Sequence, residues 1–564
     1  MKWSQLIPGW AKDRHGHHRS GELERLLPAH SRDVGPSAYP AKEVTRVALR
    51  LKYQIEQVIP IELPEDKVTA ANSPIITKKV IATAKSAGGD EYRACVVYGL
   101  LVCKRWFKRQ ALLELWDADL HGVRATAAEV IAKRIIEAEE DQDFLLQDVL
   151  LKRFSIVKDG QETEPANVIE RAVDLHALEV TGSSGYQKCV KYLWRGWLQQ
   201  DDKNAGTFVP FKARDNTRYW DHLDPDRMRA PIYQNAVQIA ISVIYLGLYT
   251  GAINTINEDG DLDVVEGILY LMTAGFIFDE FAKFWKVGWY YFSFWNAFNS
   301  ILYGLLTASF VIRMMAIATS DDEDDGRRAF IGLNQIEGNA SISTFIIQAM
   351  ANSVMQSPEF DGFDDYAHPF GLILYYIFTF VVMVILLNVL IALYNSAYED
   401  ITGNADDEYM ALFAAKTMQF VRAPDENVFI APFNLLEIFG LIIPFEWWMD
   451  DHTYERLNHY VMGVIYSPML LLTAFYEQHE ARKVKYNRKR GEEDDDEVEE
   501  WEQMEQEFEA DQGKEEWEKK VDETKPDVEV DVDVVEIREL KKEVQELKRM
   551  IRALSPENGE EGGS

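Results

Sequence analysis

Apolar positions follow two periods along this chain. Through residue 230 they recur every three or four residues, the spacing of helices with one buried face. The stretch Arg124 to Glu140, RATAAEVIAKRIIEAEE, sets such a face against a charged one, and Gln142 to Phe154 continues in kind. From Pro231 the apolar runs become continuous. Ile232 to Ile253, Val264 to Trp285 and Phe292 to Ile312 are candidate spans. The run from Phe370 to Tyr394 carries no charge, enough to cross a hydrocarbon core of roughly 30 Å. Helical spacing then returns in Asn404 to Val421, which reads as an amphipathic helix at the inner membrane surface. Val428 to Met449 is broken by Pro432 and Pro444 and carries Glu437, while Tyr460 to Tyr476 is short and contains Pro468. Both read as re-entrant or surface-lying, with a helical pair crossing the membrane as the alternative. Ile537, Leu540, Val544, Leu547, Ile551 and Leu554 alternate three and four apart. That pattern predicts a short parallel coiled coil, with Glu543 and Lys548 placed for a pair between chains; a solitary amphipathic helix is the alternative.

Polar residues inside the last span sharpen this picture. Asn388 lies deep within it and Asn395 near its end, and an amide in lipid needs a partner or a wet path. Ahead of the span come a short helix candidate, Ser343 to Met355, and the acidic approach SPEFDGFDDYAHP. Short helix, acidic segment and amide-bearing span read in that order as the pore half of a cation channel; a plain anchor after a loop is the alternative. The loop at 254–263 holds Glu258, Asp259, Asp261 and Asp263 with no Lys or Arg, whereas Lys283 and Lys286 mark the next loop. Basic loops face the cytosol, so both termini are placed there. SDDEDD at 320–325 and the sequon at Asn339 fall on the opposite side.

Composition excludes several classes. A net charge of −34 over 564 residues argues against a nucleic-acid partner. Cys95, Cys103 and Cys189 fit neither a zinc pattern nor a disulfide framework and suit a reducing compartment. No signal peptide opens the sequence, and His15, His17 and His18 read as part of a solvated tail. No phosphate loop, nucleophile elbow or metal-binding His pair occurs, so an enzyme is not expected. The cluster Lys104 to Arg109, with Trp106 and Phe107 inside it, reads as a solvated helix face with two packed aromatics, or as a contact for anionic lipid. ARKVKYNRKR at 481–490 offers Arg482, Lys483, Lys485 and Arg488 to a lipid surface, each worth about 1 kcal/mol there, or serves only as a topology signal. GEEDDDEVEEWEQMEQEFEAD follows, dense enough in carboxylates to attract calcium loosely, or simply a solvated linker.

ILLNVLIALYNSAYEDITGNADDEYMAL, VRAPDENVFIAPFNLLEIF, VIYSPMLLLTA and ARKVKYNRKR together resemble the fungal vacuolar branch of the transient receptor potential cation channels. So do LLELWDADLHGVRATAAEVIAKRIIEAEEDQDFLLQDVLLKRFSIV and GSSGYQKCVKYLWRGWL. The resemblance implies a homotetrameric, calcium-permeable, non-selective channel of the vacuolar membrane. It also implies release of stored calcium to the cytosol, activation by cytosolic calcium and by osmotic or mechanical stress, and modulation by phosphoinositides. By motif, Leu387, Asn388, Ile391 and Asn395 stand on the inner pore helix and gate, and Ser357, Glu359 and Asp361 in the filter region. Asp494, Asp495 and Asp496, with Glu497, match the calcium-sensing acidic cluster. The calcium site that some relatives build between spans two and three would use Glu280, Lys283, Asn296 and Asn299, where a lysine ammonium beside a divalent ion degrades it.

The family has six spans before the surface helix, and this sequence has four. After the third span, IRMMAIATSDDEDDGRRAF runs directly into IGLNQIEGNASISTFIIQAM, so the family's fourth span and nearly all of its fifth are missing. The resulting expectation is an all-α protein. A cytosolic helical domain (1–230) precedes a transmembrane and pore domain (231–395). Surface helix, re-entrant segments and basic run (396–490), acidic linker (491–535) and coiled coil (536–555) follow. A calcium channel subunit is the leading function; a non-conducting adaptor or dominant-negative subunit is the second, because of the missing spans.

Overall fold

The computed structural model describes residues 36–201 apart from 71 and 159, then 206–254, 263–287, scattered positions of 300–314, 370–381, scattered positions of 388–402, 405–422, 429–442, 449–497, 519–520, 524 and 540–550. Two compact units divide the chain.

One unit comprises Tyr39–Glu140, Phe154–Glu164 and Ala481–Ser564. Its first helix, α1 (Ala41–Val58), buries Val44, Val47, Ala48, Leu51 and Ile55, a stripe at helical spacing. Pro40 precedes it and Pro60 follows, and a proline ring suits a helix start but stops its continuation. Helices α2 (Val96–Leu113) and α3 (Ala118–Glu137) pack along one another, with α1 laid on α2. Their shared core holds Leu100, Leu101, Val130, Ile131 and Ile136, each fully buried aliphatic side chain contributing roughly 1.5–3 kcal/mol. Tyr98 and Phe154 meet in the same core with ring centroids 5.6 Å apart.

The basic cluster at 104–109 proves to be divided. Phe107 is buried as expected, but Lys104 is only 2 % exposed and makes a buried ion pair with Glu129 of α3. Lys104 therefore joins two helices and is not part of a solvated or lipid-facing surface. A hairpin also departs from the all-α expectation: β1 (Val157–Lys158) pairs antiparallel with β2 (Gln161–Glu162).

The other unit comprises Met1–Ala38, Asp141–Arg153 and Pro165–Glu480. The expected helix at 142–154 is here a wider π-type turn, Phe144–Leu150. Asn167 and Glu170 close a capping box at the start of α4 (Val168–Asp174), and α5 (Ser184–Trp194) follows. A second hairpin, β3 (Leu198–Gln200) with β4 (Phe208–Pro210), leads through short 3₁₀ turns into α6 (Pro231–Asn254). The predicted span at Ile232 to Ile253 matches α6 closely, and that at Val264 to Trp285 matches α7 (Val264–Val287). Both helices leave large apolar side chains exposed, among them Val243, Leu246, Leu271 and Phe281, as lipid-facing surfaces would. Among the described residues one helix, Pro231–Ala252, is by itself long and apolar enough to cross a membrane.

Further along come α8 (Phe370–Phe380), within the fourth predicted span, and α9 (Ala405–Arg422), where the surface helix was expected. Helices α10 (Asp451–Ile465) and α11 (Ser467–Arg490) meet at an 85° bend. Between α9 and α10, Asn434 donates from Nδ2 to the carbonyl of Gly275 at 2.7 Å, halfway along α7. Residues 540–550 of the predicted coiled coil are helical with Leu540, Val544 and Leu547 exposed; Ile537, Ile551 and Leu554 lie outside the described residues. All three cysteines are buried, and burial pushes their thiols up, that of Cys95 to about 12.

Candidate functional site

The first polar centre lies where the chain turns into α6. Glu477 of α11 is buried there and collects three donors: Arg227 Nε at 2.6 Å and the Tyr233 hydroxyl at 2.9 Å reach Oε1, and His222 Nδ1 lies 2.9 Å from Oε2. The other ring nitrogen of His222 is 2.6 Å from the Asn216 carbonyl. Both neighbours of the ring are acceptors, so both nitrogens donate and the ring is an imidazolium. Hydrogen bonding to Glu477 accordingly raises the His222 pKa, with burial opposing. Arg227 also donates to the Gly196 carbonyl at 3.0 Å and stacks over Phe211, 3.9 Å from the ring centre. Gly196 makes that approach possible: its φ of +66° is left-handed, and a Cβ there would stand 2.6 Å from Ala230 Cβ. Arg195 and Arg214 flank Trp197 at 5.1 and 5.7 Å beside this network.

One pH dependence follows. A histidine whose pKa is raised on folding contributes stability that is whole below its ordinary value, about 6.5, and is lost as pH climbs through the raised value. The purified chain should melt at higher temperature near pH 6 than near pH 8, and His222→Gln should remove that part of the slope. An identical slope in the variant would assign the dependence elsewhere.

The second centre docks α9 on α4 and α5. Arg422 Nη2 lies 3.2 Å from Asp174 Oδ2 and 4.0 Å from Glu170, and Arg153 pairs with Glu170 at 2.9 Å. All four groups are nearly sealed from solvent. Burial raises the Asp174 carboxyl, and the Arg422 charge opposes that rise. At the other end of α9, His176 lies 3.1 Å from Glu408, and Trp194 packs on Phe413 with centroids 5.2 Å apart.

The third centre lies past α11, where the predicted acidic cluster and the predicted basic run are joined. Arg488 grips Asp494 with two bonds, Nε to Oδ1 at 2.6 Å and Nη2 to Oδ2 at 2.8 Å. Lys483 meets Glu497 at 3.2 Å. Arg482 and Lys485 are exposed. Two of the four expected lipid-facing cations are thus paired within the chain.

For the pore, Asn388, Ile391 and Asn395 are helical, exposed positions spaced three and four apart, hence on one side of the helix. Leu387, Ser357, Glu359, Asp361 and the sequon Asn339 lie outside the described residues. Of the degraded calcium site, Glu280 and Lys283 stand one turn apart on α7, while Asn296 and Asn299 lie outside the described residues. A grouping that no sequence motif flagged is Asp224, Asp226 and His459, whose ligand atoms lie within 4.8 Å of one another; Arg229 sits 3.4 Å from Asp226 and would compete with a cation.

Comparison with known proteins gives these features a context. Family models described as the TRPY1 N-terminal linker helical domain and as the C-terminal part of YVC1-like calcium channels match residues 44–223 and, in two stretches, 241–329 and 327–478. Calcium channel YVC1 of Candida albicans is 35% identical over 525 residues, covering 81% of this chain and 78% of the relative. Its counterpart in Saccharomyces cerevisiae is 33% identical over 538 residues, covering 82% and 79%. A solved structure of full-length TRPY1 with PI3P and calcium bound, in detergent, superposes with a TM-score of 0.65 at 30% identity, covering 82% of this chain and 92% of that one. Apolar spans, surface helix and helical domain together define an ion channel of the transient receptor potential class, and not an enzyme. Within that class, the chain belongs to the YVC1 calcium channel family.

Proposed function

We propose that the chain is a subunit of a homotetrameric, calcium-permeable, non-selective cation channel of the vacuolar membrane, both termini cytosolic, which releases stored calcium and is opened by cytosolic calcium and by stress. The observation that carries this reading is the row Asn388, Ile391 and Asn395: two amides and an aliphatic side chain on one exposed side of an apolar helix. Lipid is a poor neighbour for such a row, and four copies around a wet axis would satisfy it. Asp494 to Asp496 and Glu497 serve as the calcium-responsive cluster, and the filter lies between Ala351 and Asp361, with Glu359 and Asp361 at its mouth. The related TRPY1 structure holds PI3P and calcium, which supports calcium and a phosphoinositide as ligands here. The C-terminal helix adds a contact between subunits.

Patch recording on vacuoles that carry only this chain tests the reading. A calcium-gated cation current is expected, and neutralising Asp494, Asp495 and Asp496 should shift its calcium dose response to higher concentration while conduction persists. An unchanged dose response removes that role from the cluster, and absence of any current rejects the channel reading.

A second reading, a non-conducting subunit that assembles with an intact relative, rests on a specific observation. The family's C-terminal region matches in two stretches that meet at 327–329, where the sequence passes from the third span toward the pore without a fourth or fifth. Co-expression with an intact relative separates the two: a poison subunit would associate and lower that relative's current without adding its own.

A further inference from the structure

The end of α11 carries one surface on which two ligand chemistries meet. Gly491, at φ +80°, reverses the chain, and Glu492 donates its N–H to the Asn487 carbonyl at 3.0 Å. Residues 492–497 are thereby laid back along the last two turns of the helix. Asn487 fixes them from within: it is fully buried, and its Nδ2 donates to the carbonyls of Glu493 and Asp496 at 3.1 and 2.8 Å. Arg488 and Lys483 then close on Asp494 and Glu497 from the rim. The cations of this hairpin are therefore occupied by its own carboxylates.

Two observations point to ligands that would separate them. Asn487 Oδ1 is a buried oxygen with no hydrogen-bond partner, and it is held inside the acidic turn. A hard oxygen without a donor, among carboxylates, is a ligand atom for a hard divalent cation. On the same helix, Leu471, Leu472 and Phe475 are exposed by 51, 66 and 70 % ahead of the run Arg482 to Arg490. Exposed apolar turns leading into a dense cationic turn suit an anionic lipid surface, with the chains below and the headgroups at the charges.

We propose that this hairpin is a calcium-released mask over an anionic-phospholipid site. At low calcium Asp494 and Glu497 hold Arg488 and Lys483. A divalent cation taking those carboxylates, with Asn487 Oδ1, frees both side chains for anionic headgroups. The calcium arm rests on the reading of the acidic cluster given above; the mask rests on the ion pairs alone. Because linkage is reciprocal, anionic lipid bound to the freed cations tightens calcium binding by the same factor. Each cation near an anionic surface multiplies binding roughly fivefold, so freeing two gives roughly 30-fold.

The test uses the intact chain in immobilised phosphatidylcholine nanodiscs, with phosphatidylserine-containing vesicles as the probe and empty discs as the blank. Calcium should raise vesicle binding by the wild type roughly 30-fold, from the charge count above. The D494N/E497Q variant should bind at the calcium-saturated level in chelator and gain nothing from calcium. The K483Q/R488Q variant should bind weakly at both extremes, yet bind calcium more tightly than wild type, because no internal cation competes. If D494N/E497Q binds no better than wild type in chelator, the mask is overturned. If that variant binds tightly but wild type ignores calcium, the calcium reading of the cluster has failed and the release step falls with it, while the mask stands.

Discussion

Truncating Glu477 to Ala should destabilise the folded chain by about 3–5 kcal/mol, because it strands Arg227 and the His222 imidazolium in a buried site. Arg227 is 3 % exposed and His222 2 %, so water cannot replace the lost carboxylate without opening the packing around them. Thermal unfolding of the purified protein reads the loss directly. Replacing the pair together, Glu477→Leu with Arg227→Met, should recover part of it, since well-packed apolar groups avoid the desolvation cost. A midpoint for Glu477→Ala within a degree of wild type would show that the centre tolerates opening and does not tie α11 to the start of α6.

Removing the cation at the other centre should have a comparable effect. Arg422→Ala leaves Asp174 and Glu170 facing each other with only Arg153 between them, a change of about 3–5 kcal/mol. Its pH signature is distinctive. Burial already raises the Asp174 carboxyl and Arg422 opposes that rise, so without Arg422 the value should climb further. Protonation then relieves the unpaired charge, and the variant should regain stability relative to wild type as pH falls through the raised value. Adding Asp174→Asn should recover 1–3 kcal/mol, roughly the coupling expected of groups in contact. In recordings, Arg422→Ala should alter calcium-dependent opening, since α9 follows the inner helix in sequence and Arg422 fastens it to α4. Additive single and double changes would deny the coupling.

Much of the fold was legible because continuous apolar runs and three-four spacing are local signals. Ile232 to Ile253 and Asn404 to Val421 fall within a residue or two of α6 and α9 for that reason. The hairpins carried only a faint mark: the Asp-Gly pair at 159–160 is a turn signal, but strands of two residues have no periodicity to read. Lys104 looked solvated because its neighbours in sequence are basic, while its partner Glu129 is 25 residues away on α3. The polar centres were out of reach for the same reason. Arg227 and Glu477 stand 250 residues apart, and each alone looks like an ordinary surface charge. Sequence did separate the basic run from the acidic cluster correctly as chemistry, yet nothing in it signals that Gly491 folds one onto the other.

The sealed thiols have a practical use. With Cys95, Cys103 and Cys189 each essentially 0 % exposed and held far from thiolate, aqueous maleimides and methanethiosulfonates find no native target in the folded chain. A reporter sulfur at Ile391 could then be followed against a silent background, in the unaltered parent sequence, and the reagent's rate with and without calcium would tell whether that turn of helix meets water.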